Sequence, residues 1–183
     1  MDVLKFIEKY KILKNIPRSG WLSCGVKLNE VENVFDHTLD VTLISMLLID
    51  IFRKENFKVD GEKTLRIALI HDIEESILTD IPYPCKKYLK NLKEAKEEVV
   101  KEIFKECFEN SEFYINLWKE KNNNSIEGEI VHIADLLSMI YEHYEIRKRF
   151  KTKELDEHLK NCMDDLKPFI EKYKFIEKIL PKF

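Results

Sequence analysis

His71 and Asp72 place an imidazole and a carboxylate side by side at the end of an apolar helical stretch. Neighbouring groups of these two types can both face one divalent cation. Two further candidates lie far away in the sequence, His37 and Asp135, each within a largely apolar helical segment where an unpaired polar group would be unfavourable. One bound metal ion would account for all four residues.

The mixed set of nitrogen and oxygen donors indicates the kind of ion. Two imidazoles and two carboxylates suit Mn²⁺, Co²⁺, Fe²⁺, Zn²⁺ or Ni²⁺ better than Ca²⁺. Mg²⁺ is a further candidate for the bound ion. Asp135 taken alone has an alternative, because a salt bridge from another helix would also stabilise a carboxylate between Ala134 and Leu136. The four residues together favour one divalent metal ion as the cofactor.

Two more carboxylates are placed to transfer protons. Glu75 follows His71 by four residues and Asp72 by three, so a helix would put all three on one face. Asp80 lies just before Pro82 and Pro84, in a loop that the two prolines stiffen. Its carboxylate could be held over a water molecule on the metal. The adjacent Glu74 is expected to point elsewhere, into solvent.

The elements that must position these residues are predicted to be helices. Only 4 Gly and 5 Pro interrupt the chain, and most of the rest has a helical period. We expect an all-α fold, a bundle of about six or seven helices in a single domain of residues 1–183, with its core at about 12–150. The predicted helices span about 2–14, 30–56, 62–78, 85–110, 125–150 and 154–179.

Charge and composition narrow the possible partners. The chain has 31 Lys and Arg against 34 Asp and Glu, a net charge of -3. This balance argues against broad electrostatic capture of polymeric nucleic acid or of an anionic membrane surface. A small anionic ligand stays possible, because it needs only a local basic cluster.

Cysteine spacing and the apolar segments indicate a cytoplasmic protein. Cys24, Cys85, Cys107 and Cys162 form no C-x-x-C pair, so we expect reduced, mostly buried thiols and not a zinc ribbon or a redox dithiol. The N-terminus predicts an amphipathic helix and no signal peptide. The longest apolar run, at about 41–52, is interrupted by Asp50, and no membrane span is expected.

These residues resemble the HD-domain metal-dependent phosphohydrolases, whose signature is a distant His, an adjacent His-Asp pair and a later Asp on separate helices. The strings HDIEE at 71–75 and DIPYP at 80–84 are similar to the 5'-deoxynucleotidase branch, which includes the bacterial deoxyribonucleoside monophosphatase and its eukaryotic and archaeal relatives. That branch also has an Arg and a Trp before the first ligand, matched by Arg18 and Trp21, although Ser19 and Gly20 intervene. The resemblance covers residues 12–145.

The resemblance implies a role for each candidate and a reaction. A deoxyribonucleoside 5'-monophosphate would be hydrolysed to deoxyribonucleoside and phosphate by a cytoplasmic homodimer with this small-molecule nucleotide as its partner. The implied metal ligands are His37, His71, Asp72 and Asp135. The implied catalytic residues are Glu75 and Asp80, Arg18 would bind the phosphate, and Trp21 would pack beside the sugar.

Other functions stay open at this point. The same site could act on a nucleoside triphosphate, a cyclic nucleotide or a phosphate ester that is not a nucleotide. A di-iron oxygenase is less favoured, because the segment between His71 and Asp135 offers only His132 as an extra histidine. A helical interaction or regulatory module with a structural metal is a third possibility, but it has no evident need for Glu75 and Asp80.

Overall fold

The regular secondary structure is helical in the residues that the computed structural model describes, 1–181. This confirms the predicted all-α class, and within residues 1–181 the only β-type pairing is an isolated bridge between Pro17 and Asn33. The α-helices are α1 Val3–Ile12, α2 Ser19–Ser23, α3 Val34–Lys54, α4 Gly61–Ile70, α5 Glu75–Leu78, α6 Tyr83–Lys86, α7 Leu92–Cys107, α8 Ser111–Glu120, α9 Ile126–Ile146 and α10 Lys153–Lys172. The 3₁₀ helices are Leu13–Asn15, Leu28–Glu30 and Lys174–Ile179.

Helices α3 and α9 form the centre of the bundle, and α4 and α10 pack around them. Each of the two central helices has 21 residues and a capped start: the side chain of Asn33 accepts a hydrogen bond from the Asp36 N–H, and Ser125 does so from the Gly128 N–H. Apolar residues at helical spacing face inward from both. The fully buried ones include Val34, Val41, Phe52, Ile130, Ile133, Leu137 and Ile140.

The described chain has ten α-helices where six or seven were expected, because two predicted helices are interrupted and because α2 and α8 form in segments for which no helix was predicted. The helix predicted over 62–78 ends at Ile70, and residues 71–74 form a turn before the short α5. The helix predicted over 85–110 consists of α6, a turn and α7. Helix α5 ends at Leu78, because Thr79, with a φ of 62°, leaves the helical region before either proline is reached.

The C-terminal part differs from its prediction only in its last turns. Helix α10 contains Pro168, ends at Lys172 and is followed by the 3₁₀ helix Lys174–Ile179. The predicted single domain includes residues 182–183, which lie outside the described residues. Over residues 1–181, no helix combines the length and apolar character needed to cross a membrane.

Candidate functional site

Two buried histidines lie face to edge at the centre of the site. His37 comes from the first turn of α3 and His71 from the residue after α4, and their ring centroids are 5.5 Å apart. The Nδ1 of His37 is 3.2 Å from the hydroxyl of Ser138, and the Nδ1 of His71 is 2.7 Å from the Ala68 carbonyl oxygen. Burial, followed by the charge of Arg18, lowers the pKa of His37 to about 4. The imidazole of His37 is therefore neutral at pH 7, the form that binds metals.

The Nε2 atoms of these histidines fit a metal ion. Both are buried, and neither has a hydrogen bond of good geometry within the described part of the chain. Each ring is instead oriented through its Nδ1, the arrangement that fixes metal-binding histidines in proteins. One ligand atom each from His37, His71 and Asp72 lies within 4.8 Å of the others, so this cluster could hold a divalent ion.

The two aspartates approach the histidines from different elements. The Oδ2 of Asp72 is 3.0 Å from Nε2 of His71 and 3.8 Å from Nε2 of His37. Asp135, from the middle of α9, places Oδ1 3.2 Å from the same His37 nitrogen. The structure thus brings together all four residues that the sequence suggested as metal ligands, from α3, α9 and the turn after α4.

Lys121 stands between these aspartates and was missed by the sequence analysis. Its Nζ is 3.5 Å from Oδ1 of Asp72 and 3.2 Å from Oδ2 of Asp135. Burial would raise the pKa of both carboxyl groups, but nearby positive charge, including that of Lys121, lowers it well below the usual range. Both aspartates are therefore anionic at neutral pH.

Arg18 and Asp80 meet at the edge of the site although 62 residues separate them. The guanidinium Nη1 of Arg18 is 3.4 Å from Asp80 and 3.9 Å from Asp72. The N–H of Ser19 donates to Oδ2 of Asp80 at 2.5 Å, and the Ser19 hydroxyl donates to the Asp80 main-chain oxygen. The start of α2 therefore holds the loop after α5, with Arg18 and Asp80 side by side.

Glu75 and Glu74 are both buried, which corrects the expectation that Glu74 is solvated. Glu74 accepts hydrogen bonds from the Trp118 indole at 2.9 Å and from the Lys96 amine at 2.8 Å. Glu75 is 3.9 Å from Lys96, and its Oε2 has no hydrogen-bond partner among residues 1–181. Burial and the charge of Asp72 raise the pKa of Glu75 well above its usual value.

A pocket of about 390 Å³ opens over these groups. Four basic side chains line it, Arg18, Lys86, Lys96 and Lys121, together with Asp72, Glu75, Asp80 and Asp135. Helix α10 supplies another wall that includes Glu154, Glu157, His158, Asn161 and Asp165. Such a pocket could take a small anionic ligand, with basic groups and the candidate metal ligands Asp72 and Asp135 on its lining.

Trp21 lies behind the pocket and not on its lining. Its side chain is 2% exposed, and its ring centroid is 4.6 Å from that of His158, which does line the pocket. Its indole N–H donates to Glu32 at 3.3 Å. Trp21 therefore supports the wall through His158, and its predicted contact with a sugar stays a prediction.

Comparison with known proteins now identifies the family. The sequence model of the HD domain matches residues 10–177. The chain belongs to the HD domain family. Its relatives include the 5'-deoxynucleotidase HDDC2 of Xenopus laevis, 30% identical over 155 residues that cover 81% of this chain and 72% of the relative. The 5'-deoxynucleotidase YGK1 of Saccharomyces cerevisiae is 29% identical over 171 residues, 90% of this chain and 75% of the relative. The resemblance to the 5'-deoxynucleotidase branch is thereby confirmed.

Solved structures share the fold. A conserved hypothetical protein from Pyrococcus furiosus superposes with a TM-score of 0.81 at 37% identity, covering 94% of this HD domain chain and 96% of that chain. An HD-domain phosphohydrolase from Listeria innocua also gives a TM-score of 0.81, at 24% identity, over 98% of this chain and 88% of its own. The bundle described above is therefore the HD domain fold.

Proposed function

We propose that this protein is a metal-dependent phosphohydrolase that converts deoxyribonucleoside 5'-monophosphates to deoxyribonucleosides and phosphate. The observation that carries the proposal is a pair of buried histidines whose Nε2 atoms lie within 3.2 Å of two anionic aspartates, which in turn line a pocket with four basic side chains. The names of the relatives, 5'-deoxynucleotidases of the same family, support the substrate class.

The proposed metal ligands are His37, His71, Asp72 and Asp135. When bound, a divalent ion would lower the pKa of a water molecule and neutralise charge on the phosphoryl group. The chain prepares this site by holding each histidine through Nδ1, so that little reorganisation is needed when Nε2 becomes a ligand.

The remaining groups are proposed to bind the phosphate and move protons. Arg18 stays charged and faces the pocket, so it can donate hydrogen bonds to two phosphate oxygens at once. Glu75 has a carboxyl oxygen without a hydrogen bond among the described residues and a pKa raised by burial and by Asp72, which suits a group that gives and takes protons. Asp80 contacts Arg18 and can orient it, and its proposed role is to hold the attacking water.

Phosphate release from a panel of substrates tests the proposal. Purified protein is incubated with Mn²⁺ or Co²⁺ and with deoxyribonucleoside and ribonucleoside 5'-monophosphates, nucleoside triphosphates, cyclic nucleotides and a phosphate ester without a nucleoside. We expect the highest kcat/KM with deoxyribonucleoside 5'-monophosphates. A preference for another class of ester would change the proposed substrate to that class. If the protein releases phosphate from none of the esters, the proposal is overturned.

Two variants separate metal binding from chemistry. Asp72→Asn should abolish Mn²⁺ binding measured by calorimetry, because it removes an anionic ligand. Glu75→Gln should keep the ion and lower kcat by about a hundredfold or more, because it removes the proton-transfer group. The control is Asp36→Asn, an exposed acidic residue beside His37 whose side chain contacts only Asn33 among the described hydrogen bonds. Loss of Mn²⁺ in Glu75→Gln would show that Glu75 is a ligand.

A further inference from the structure

Lys121 is the residue whose position the proposed reaction does not yet explain. It follows directly after α8, its side chain is 18% exposed, and its ammonium lies within 3.5 Å of one oxygen of Asp72 and one of Asp135. These are the two carboxylates proposed to bind the metal ion. The side chain also lines the pocket above them. One positive charge thus touches both anionic ligands and the space for the substrate.

The backbone around Lys121 is firmly held. The preceding residue, Glu120, accepts a hydrogen bond from Lys63 at 2.6 Å, and Lys63 is also 3.6 Å from Glu127 at the start of α9. The same end of α8 packs so closely on α9 that a Cβ added to Gly128 would overlap the Glu120 carbonyl oxygen. Lys121 therefore follows directly on the point where the end of α8 packs against the start of α9.

Other lysines near the end of α8 show what an ordinary ion pair looks like here. Lys119, two residues away, is 38% exposed and pairs with Glu97 of α7 at 2.7 Å, outside the pocket lining. Such a surface pair contributes little to stability. Lys121 differs because its partners are two aspartates with side chains only 9% and 16% exposed, and both are proposed ligands of one ion.

We propose that Lys121 is the counter-cation of the metal site, neutralising Asp72 and Asp135 in the metal-free protein and binding a phosphate oxygen of the substrate once a divalent ion takes those carboxylates. The contact between Lys121 and the phosphate rests on the proposed function. The neutralisation of Asp72 and Asp135 concerns the protein without substrate. The ammonium and the divalent ion would interact with the same pair of carboxylates. Because the two cations would then be close together, repulsion from the ammonium lowers the affinity for the ion.

The test compares Lys121→Met with Lys119→Met, the matched control from the same helix end. We expect Lys121→Met to bind Mn²⁺ about tenfold more tightly, because a repelling charge is removed. Its Kd for inorganic phosphate in the presence of Mn²⁺ should rise about tenfold to a hundredfold, because a charged hydrogen bond is lost. Its Tm in EDTA should fall, because two buried carboxylates lose their partner. Lys119→Met should match the wild type in all three measurements.

Lys121→Arg and Lys121→Gln complete the design. Arginine keeps the charge and should restore Mn²⁺ and phosphate affinities to within about threefold of the wild type. Glutamine replaces methionine as the charge-removing variant if Lys121→Met fails to unfold cooperatively. Unchanged Mn²⁺ and phosphate affinities in the charge-removing variant would overturn the proposal. Calorimetry needs no turnover, so tighter Mn²⁺ and weaker phosphate binding in a protein that hydrolyses no ester would support Lys121 and refute the proposed reaction.

Discussion

Glu74 and Glu75 are neighbours in the sequence with opposite surroundings. Both oxygens of Glu74 are used, one by the Lys96 amine and one by the Trp118 indole, so this carboxylate joins the turn after α4 to α7 and α8. Glu75 has one buried oxygen without a hydrogen bond among the described residues. At the scale of single residues, Glu74 is therefore expected to stabilise the fold and Glu75 to take part in the chemistry.

Replacing Glu74 should destabilise the protein strongly. Glu74→Ala leaves the buried Trp118 indole without its partner and Lys96 with the longer 3.9 Å contact to Glu75, and we expect a loss of about 3 kcal/mol in the free energy of unfolding. Urea denaturation measures it. The control Glu62→Ala removes an exposed pair with Arg66 and should cost about 0.5 kcal/mol or less. Equal losses in the two variants would contradict the structural role of Glu74.

The sequence contained one unused signal about the site's basic residues. Lys96 falls between Leu92 and Val100 on the apolar stripe of α7, so its spacing already indicated an inward position, although the segment was interpreted as having a solvated charged face. Lys121 offered no such signal, because it follows the end of α8 and no helical period continues there. The metal ligands could be predicted from the sequence because each is a polar residue in an apolar segment.

At the scale of elements, the interruption after α4 explains how so many polar groups reach one place. All residues from His71 to Ser76 are buried. A continuous helix would turn successive side chains by about 100° and direct some of them away from the site. Instead α4 ends at Ile70, and the turn directs them inward. The sequence did not predict this break, because residues 71–74 contain no glycine or proline and the turn makes tertiary contacts such as those of Glu74 with Lys96 and Trp118.

The contact between the end of α8 and the start of α9 gives an element-scale prediction. A Gly→Ala change in a helix normally stabilises by about 1 kcal/mol. At Gly128 the sign should reverse, because the new Cβ would overlap the Glu120 carbonyl oxygen and approach that of Asn123. We expect Gly128→Ala to lose about 2 kcal/mol of unfolding free energy and to weaken the hold on Lys121.

Thermal and urea denaturation of Gly128→Ala measure this effect, with Gly20→Ala as the control. Gly20 also lies in a helix, and a Cβ added there meets nothing within 4 Å. Gly20→Ala should therefore be neutral or slightly stabilising. If Gly128→Ala were as stable as Gly20→Ala, the close packing of α8 on α9 would be refuted.

At the scale of the whole molecule, one face of α3 carries an unusual surface. Leu39, Leu43, Met46 and Leu47 recur at helical spacing and are each between 44% and 58% exposed. Single exposed apolar residues are common on proteins, but a stripe on one helix is typical of an association surface. The opposite face of the same helix supplies His37, so the stripe lies outside the site. It is the surface we assign to the homodimer predicted above.

The dimer prediction can be tested without disturbing the site. Leu43→Glu combined with Leu47→Glu puts two charges into the stripe, and we expect this variant to sediment as a monomer while the wild type sediments as a dimer. It should still bind Mn²⁺, because both side chains point away from His37. Leu28→Glu changes an isolated leucine, 65% exposed, and should leave the dimer intact. A wild type that is monomeric at all concentrations would refute the dimer, and a double variant that stays dimeric would place its interface on another face.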